Sequence, residues 1–319
     1  MRSPLPVRTR FSLLLVGVLA VGVTACGNGV GGDTAESPAA SDKQSAIPDN
    51  AELIAAITPD EGLAAGLPPA VAQSKTINVG SNIQSAPNNF YAEDGKTPIG
   101  FEVDLAKAIA KKIGVQTAYQ DMAFGSLITS LQSGRIDMTM AGMNDTKERQ
   151  QQIDFVDYFS SGITIMVQKG NPQGVKGPDD LCGKGIAVNL GSSQEQFGKE
   201  QSQKCVAAGK PEVQLSVTDS DTGNQNQLRT GRVAAILNDL PTAVYVAKTA
   251  GDGQYFEVVP LAPINGGPYG IGVAKKNAKL SEAIKGALQS LIDDGTYTRI
   301  VTTWDIKQGA ITKAAINGN

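Results

Sequence analysis

The stretch FGSLITSLQSGRIDMTMAGMNDTKERQQQIDFVDYFSSG, Phe124–Gly162, changes its hydrophobic period more than once. Leu127, Ile128 and Leu131 share one face of a short helix over Ser126–Gly134. Arg135–Ala141 then reads as a strand, and Gly142-Met143-Asn144-Asp145 as a loop running into a helix start at Thr146. Upstream, Thr76–Gly80 is a short β-type run, and Asn82–Asn89, which carries Pro87, is a loop. Gly100–Gly114 places Leu105, Ile109 and Ile113 on one helical stripe, with Lys111 and Lys112 in the last turn and Gly114 as its stop. Gln116–Gln120 is strand-like again. Strands alternating with helices give an α/β class with a largely parallel sheet.

Ligands in such sheets gather where strand ends meet helix N-termini, because free N–H groups and the helix dipole attract anions there. Gly142 would let a ligand approach the backbone, and Asn144 and Thr146 offer polar side chains. Arg149 sits in the first turn, where a cation is electrostatically misplaced unless it serves something else. A guanidinium fork gripping a carboxylate would suit it, and so would a solvated arginine paired with Glu148 or a nearby Asp. Spacing leaves both open.

Composition narrows the chemistry. The chain has 319 residues, room for about two domains, and its net charge of −3 argues against a nucleic-acid binder. It has no histidine, which excludes histidine triads, histidine metal sites and imidazole bases. No metal or cofactor site suggests itself, and GNGVGG at Gly27–Gly32 lacks the preceding strand that a dinucleotide fingerprint needs.

At the N-terminus, Arg2, Arg8 and Arg10 precede an apolar run, Phe11–Ala25, too short to span a membrane and suited to a secretory signal. Val23-Thr24-Ala25-Cys26 resembles a bacterial lipobox, which implies lipidation of Cys26 as the mature first residue. The segments are then a signal peptide at 1–25 and a Gly-, Ala- and Ser-rich flexible tether at 26–75, the latter with short helices over Ala51–Ile57 and Leu63–Ala72. Cys182 and Cys205 remain as an even pair, which in an oxidising compartment suggests a disulfide, the alternative being two buried thiols.

Phe124–Gly162 closely resembles the central signature of the amino-acid-type (family 3) extracellular solute-binding proteins of bacterial ABC importers. GFEVDLAKAIAKKIG, DLCGKGIAVNLGSSQEQ at Asp180–Gln196, RVAAILNDLPTAVYVAKTAG at Arg232–Gly251, PYGIGVAKKN at Pro268–Asn277 and DDGTYTRIVTTWDI at Asp293–Ile306 follow the family order. The resemblance implies a two-lobed periplasmic-binding-protein-like fold of type II, each lobe a mainly parallel sheet flanked by helices. The hinge would cross near Phe159–Ile163 and Asn265–Tyr269. Lobe one would comprise 76–161 and 267–306, lobe two 162–266, with a C-terminal tail at 307–319.

It further implies that Arg149 holds a ligand α-carboxylate with Gly142 and Asn144, and that Asp239 takes the α-ammonium, although Asp239 also suits a helix start before Pro241. Phe124 would pack on the ligand or in the core. Ser192, Ser193 and Gln194 would face the ligand from lobe two, the serines equally suiting helix caps. Asn82 and Ser85 stand where cation-binding members carry an acid and an aromatic, and Asn189 stands where some carry Lys. The expected ligand is therefore a polar uncharged amino acid such as glutamine or asparagine. The expected partners are a membrane permease and its ATPase subunits, with the protein a monomer anchored by lipid to the outer face of the cytoplasmic membrane. The competing readings are a dehydratase-like cleft enzyme, which would need a spare carboxylate, and a ligand-sensing module.

Overall fold

The computed structural model describes residues 47–319. The expected signal peptide, the expected lipidation site Cys26 and the expected tether up to residue 46 lie outside the described residues. Three short helices come first, α1 (Ala51–Ala55), α2 (Glu61–Ala64) and α3 (Pro69–Ser74). The single helix expected over Leu63–Ala72 is split at Pro68-Pro69, where two missing N–H groups and the restricted residue before each proline break the turn. The flexible tether expected up to residue 75 also needs correction. Val71 is buried, and Leu53, Ile54, Ile57, Leu63 and Leu67 pack on the largest hydrophobic cluster. A Cβ on Gly66 would lie 2.7 Å from the Lys279 carbonyl oxygen, so a side chain there would push this segment off the body.

Lobe one continues with β1 (Thr76–Ser81), the hairpin β2 (Phe90–Tyr91) and β3 (Pro98–Ile99), and α4 (Phe101–Lys112). Next come β4 (Gln116–Asp121), α5 (Leu127–Ser133), β5 (Met138–Thr139) and α6 (Lys147–Gln150). The strand expected over Arg135–Ala141 shrinks to two residues, because β5 pairs with β1 over only Val79–Gly80 before the chain bends to the cleft. β1 pairs in parallel with both β4 and β5.

The sixteen-residue β6 (Ile153–Gln168) carries the chain into lobe two, built from β7 (Gly185–Asn189), α7 (Ser193–Ala207), β8 (Gln214–Thr218) and α8 (Asp221–Arg229). Then follow β9 (Ala235–Asp239), α9 (Leu240–Thr249) and β10 (Phe256–Val258). Here β7 pairs in parallel with β8 and β9. β11 (Ile264–Ala274) returns antiparallel to β6, and α10 (Ala278–Asp293) and α11 (Thr296–Thr303) close lobe one.

β6 and β11 join both halves into one sheet ordered β4-β1-β5-β11-β6-β9-β7-β8. Where they cross, Gly267 pairs with Ser161 and Tyr269 with Phe159, and the register slips between Ile264 and Gly267. A Cβ on Gly162 would sit 2.8 Å from Pro263 Cβ, so this crossing requires glycine. Separate hydrophobic clusters fill the two sides, one around Phe101, Leu105 and Ile109, the other around Ile165, Ile186 and Val188.

Cys182 and Cys205 are bonded, with Cα atoms 5.5 Å apart, and tie the start of lobe two to α7. The residues expected to form a C-terminal tail instead pack on lobe one. β12 (Ala315–Ile316) pairs with β6, and Gly318 N–H donates to Asp157 Oδ2 at 3.0 Å. Among the described residues no helix is long and apolar enough to cross a membrane.

Candidate ligand-binding cleft

The chain ends of β1, β5, β7 and β9 point toward one cavity between the lobes. Asn82, Ser85, Phe124, Gly142 and Asn144 line it from lobe one, and Ser192, Ser193, Gln194 and Asp239 from lobe two. Asn88, Ala141, Asn189, Leu237, Asn238 and Thr242 complete the wall. Hydrogen bonds cross the seam: Ser193 Oγ to Asn144 Oδ1 at 2.9 Å, and Gln84 Nε2 to the Asp219 carbonyl at 2.7 Å. The lobes are therefore closed on each other.

Arg149 stands beside the cavity, in an adjoining opening lined by Asn144, Ser192 and Ser193. Thr146 caps its one-turn helix, Oγ1 accepting from Arg149 N–H at 3.3 Å. The guanidinium donates to the carbonyl oxygens of Asn144 at 2.9 Å and Gly191 at 3.1 Å, and lies 5.6 Å from the Phe124 ring centroid. Burial pulls its pKa down, while Asp239 and Glu148 pull it back up. Among the described residues no carboxylate lies within 4.0 Å of it, so the solvated pairing with Glu148 is not formed.

Asp239 ends β9 and is buried, its pKa pushed up to about 6 by loss of water. The Tyr269 phenol, the Gln194 amide and Arg149 favour its ionised form, yet Oδ1 has no hydrogen-bond partner. It occupies the cap position of α9 without capping it, and Pro241 sits at the second helical residue rather than the first. A buried carboxylate oxygen without a partner is costly, and an incoming N–H donor would relieve that cost.

Gly142 loses its expected role, and Ser192 takes the helix-cap reading while still lining the cavity. Gly142, in the left-handed region at φ 58°, has its N–H committed to Glu102 Oε1 at 2.8 Å, so it is not free for a ligand carboxylate. Ser192 caps α7, accepting from Glu195 N–H at 3.1 Å, whereas Ser193 faces the cleft. Glu102 itself was not anticipated. It is fully buried behind the wall, accepts from Tyr158 Oη and Asn89 Nδ2 at 2.5 Å each, and is pushed up to about 7 by desolvation. Asp221 was also missed. It opens α8, and only the closed seam shows that it faces Ser85 and Asn189.

The model of the bacterial extracellular solute-binding proteins, family 3, matches residues 77–307. The chain belongs to that family. The arginine-binding extracellular protein ArtP of Bacillus subtilis (strain 168) is 33% identical over 233 residues, covering 72% of this chain and 86% of ArtP. The L-cystine-binding protein TcyJ of Escherichia coli (strain K12) is 31% identical over 240 residues, covering 75% and 86% respectively. A solved structure described as an ancestral arginine-binding protein bound to glutamine superposes with a TM-score of 0.65. It is 40% identical and covers 73% of this chain and 98% of that one. These family 3 relatives are binding proteins for amino acids, and the two-lobed α/β fold is theirs.

Proposed function

We propose that this family 3 protein captures a free α-amino acid between its lobes and presents the closed form to an ABC permease and its ATPase subunits. The observation that carries the reading is a buried, unpartnered Asp239 Oδ1 in the cavity, with Arg149 in the adjoining opening that shares Asn144, Ser192 and Ser193 with it and close enough to favour the ionised carboxylate. A guanidinium matches an α-carboxylate bidentately, and a buried carboxylate matches an α-ammonium. Asn144, Ser193 and Gln194 add polar contacts from both lobes, so ligand and closure support one another.

The neutral lobe-one wall of Asn82, Ser85 and Asn88 supports a side chain whose polar end donates N–H groups, as in glutamine or asparagine. The arginine named for ArtP ends in N–H donors too, and the choice between neutral and cationic ends falls to lobe two. Thermal-shift screening of the free amino acids, followed by calorimetry, tests the reading. Ligand at about 100 times its dissociation constant stabilises the folded form by about 2.7 kcal/mol. The α-carboxamide derivative of each hit is expected to bind poorly, and equal binding of amide and acid would sink the clamp.

Export with a lipid on Cys26, at the outer face of the cytoplasmic membrane, is supported by the lipobox-like Val23–Cys26 stretch. A Cys26→Ala variant is expected to leave the membrane fraction or remain unprocessed. Unchanged retention of a processed form would refute this placement.

A further inference from the structure

Asp221 opens α8 beneath the seam and is 4% exposed. Its Oδ1 accepts from Asn189 Nδ2 at 2.5 Å, its Oδ2 accepts from Ser85 Oγ, and its backbone N–H donates to Gln84 Oε1 at 3.2 Å. These partners are all neutral. Among the described residues no Lys or Arg lies within 4.0 Å of the carboxylate. Its pKa is raised, with burial as the leading cause and the bonds from Ser85 and Asn189 opposing it.

Charges around the cavity then do not cancel. Arg149 contributes one positive charge, while Asp239 and Asp221 contribute two negative ones when ionised, and Glu102 behind Gly142 can only add to the negative side. A zwitterionic ligand backbone adds nothing net. At least one negative charge remains for a ligand side chain to meet.

The wall in front of Asp221 is also oriented. Ser85 gives its only proton to Asp221, so its lone pairs are what it can offer to the cavity it lines. Asn189 spends an amide proton on Asp221 and uses its oxygen for Asn224 Nδ2 at 2.8 Å. Asn88, 3% exposed and lining the same cavity, has an amide oxygen with no partner. That unpartnered acceptor points independently to a donor-bearing ligand.

We propose that Asp221 is the specificity-determining residue of the cleft, selecting a guanidinium or ammonium side chain by its charge, relayed through Ser85. It takes the place of the lobe-one acid that Asn82 does not provide. The inference rests on the Arg149–Asp239 clamp but replaces the uncharged side chain favoured by the lobe-one wall alone. A cation one hydrogen bond from a buried carboxylate is attracted far more strongly than it would be in water.

Calorimetry on the full chain with arginine and with citrulline, which keeps the shape but replaces guanidinium by a neutral ureido group, tests this directly. Arginine is expected to bind at least about tenfold more tightly. In Asp221→Asn the arginine-to-citrulline ratio is expected to fall toward one. Should that variant fail to fold by circular dichroism, Asp221→Ser, which leaves room for water beside Ser85 and Asn189, carries the same measurement. Equal affinities in the unmodified protein, or an undiminished ratio in a folded variant, would overturn the assignment. Glutamine binding without arginine binding would overturn it while sparing the amino-acid clamp. No binding of any amino acid would overturn both.

Discussion

The guanidinium of Arg149, in lobe one, donates to the backbone carbonyl oxygen of Gly191, in lobe two, across 3.1 Å. The residue assigned to a ligand carboxylate is therefore held by neutral acceptors that belong to both lobes. A carboxylate can displace them, because charge-assisted hydrogen bonds are roughly twice as strong as neutral ones. The same guanidinium lies over Phe124, so the aromatic fixes the cation and lines the cavity at once.

Arg149→Ala is expected to lose ligand affinity by about 2–5 kcal/mol, the cost of removing one partner of a buried charge pair. Arg149→Lys is expected to recover only part, since an ammonium cannot reproduce the two-pronged contact. Calorimetry gives the affinities and circular dichroism the fold. Native affinity in Arg149→Ala would move the carboxylate site elsewhere.

Asp239, as the proposed partner of the α-ammonium, is expected to set the acid limb of binding. Burial pushes its pKa up to about 6, and an α-ammonium requires the ionised form, so ligand binding is expected to lower it. Affinity is then full above pH 6 and falls about tenfold per unit as pH drops below it. The empty protein behaves oppositely, because the folded pKa is raised from 3.8. This group's contribution to stability is most favourable below 3.8 and is lost as pH rises from 3.8 to 6. Glu102, raised from 4.5 to about 7, adds a loss in an overlapping window. Calorimetry at pH 5, 6 and 8 in two buffers should show weaker binding at pH 5 and proton release near pH 6. A flat profile would mean that Asp239 does not carry the ammonium.

The helix stripe Leu105, Ile109 and Ile113 was legible because it has a local period. The cleft residues of lobe one were reached through motif likeness, and the structure gathers all of them but Arg149, which stands in the adjoining opening, at one cavity. What sequence could not give was the use of each hydrogen bond. Gly142 looks free until Glu102, forty residues upstream, takes its N–H. Asp221 carries no sequence signal of its own, and Ser85, its partner across the seam, lies 136 residues away in the chain. Long-range polar pairing leaves no periodic trace, and it is this pairing that decides the charge of the site.

The Cys182–Cys205 bond should matter most to lobe two. Closing a loop of 23 residues' separation is worth about 3 kcal/mol on chain-entropy grounds. Reduction under mild conditions is expected to lower the melting temperature of the empty protein and expose two thiols. Saturating ligand should restore part of the loss, because it binds only the folded form. An unchanged melting temperature after confirmed reduction would show that α7 and its sheet hold without the bond.

The segment before β1 gives the last prediction. Asn50 Nδ2 and Trp304 Nε1 both donate to Asp104 Oδ2, at 2.8 and 2.9 Å, so the segment, α4 and the end of α11 meet at one carboxylate. Asp60 N–H donates to the carbonyl oxygen that ends α4, Lys112, at 2.8 Å. Val71 closes the apolar side, where Leu280, Ala283 and Ala287 of α10 belong to the same cluster. A chain beginning at Thr76 would open that face and strip Asp104 of one of its two donors. Each fully buried aliphatic side chain contributes about 1.5–3 kcal/mol, and a lost buried hydrogen bond costs about 1–3 kcal/mol. The shortened chain is expected to melt several degrees below one beginning at Ile47 while binding the same ligand, since none of these residues lines the cavity. Asp104→Asn should reproduce a smaller share of the loss, because an amide oxygen can still accept from both donors but without the charge that strengthens those bonds. Equal melting of the two chains would return residues 47–75 to the role of a tether.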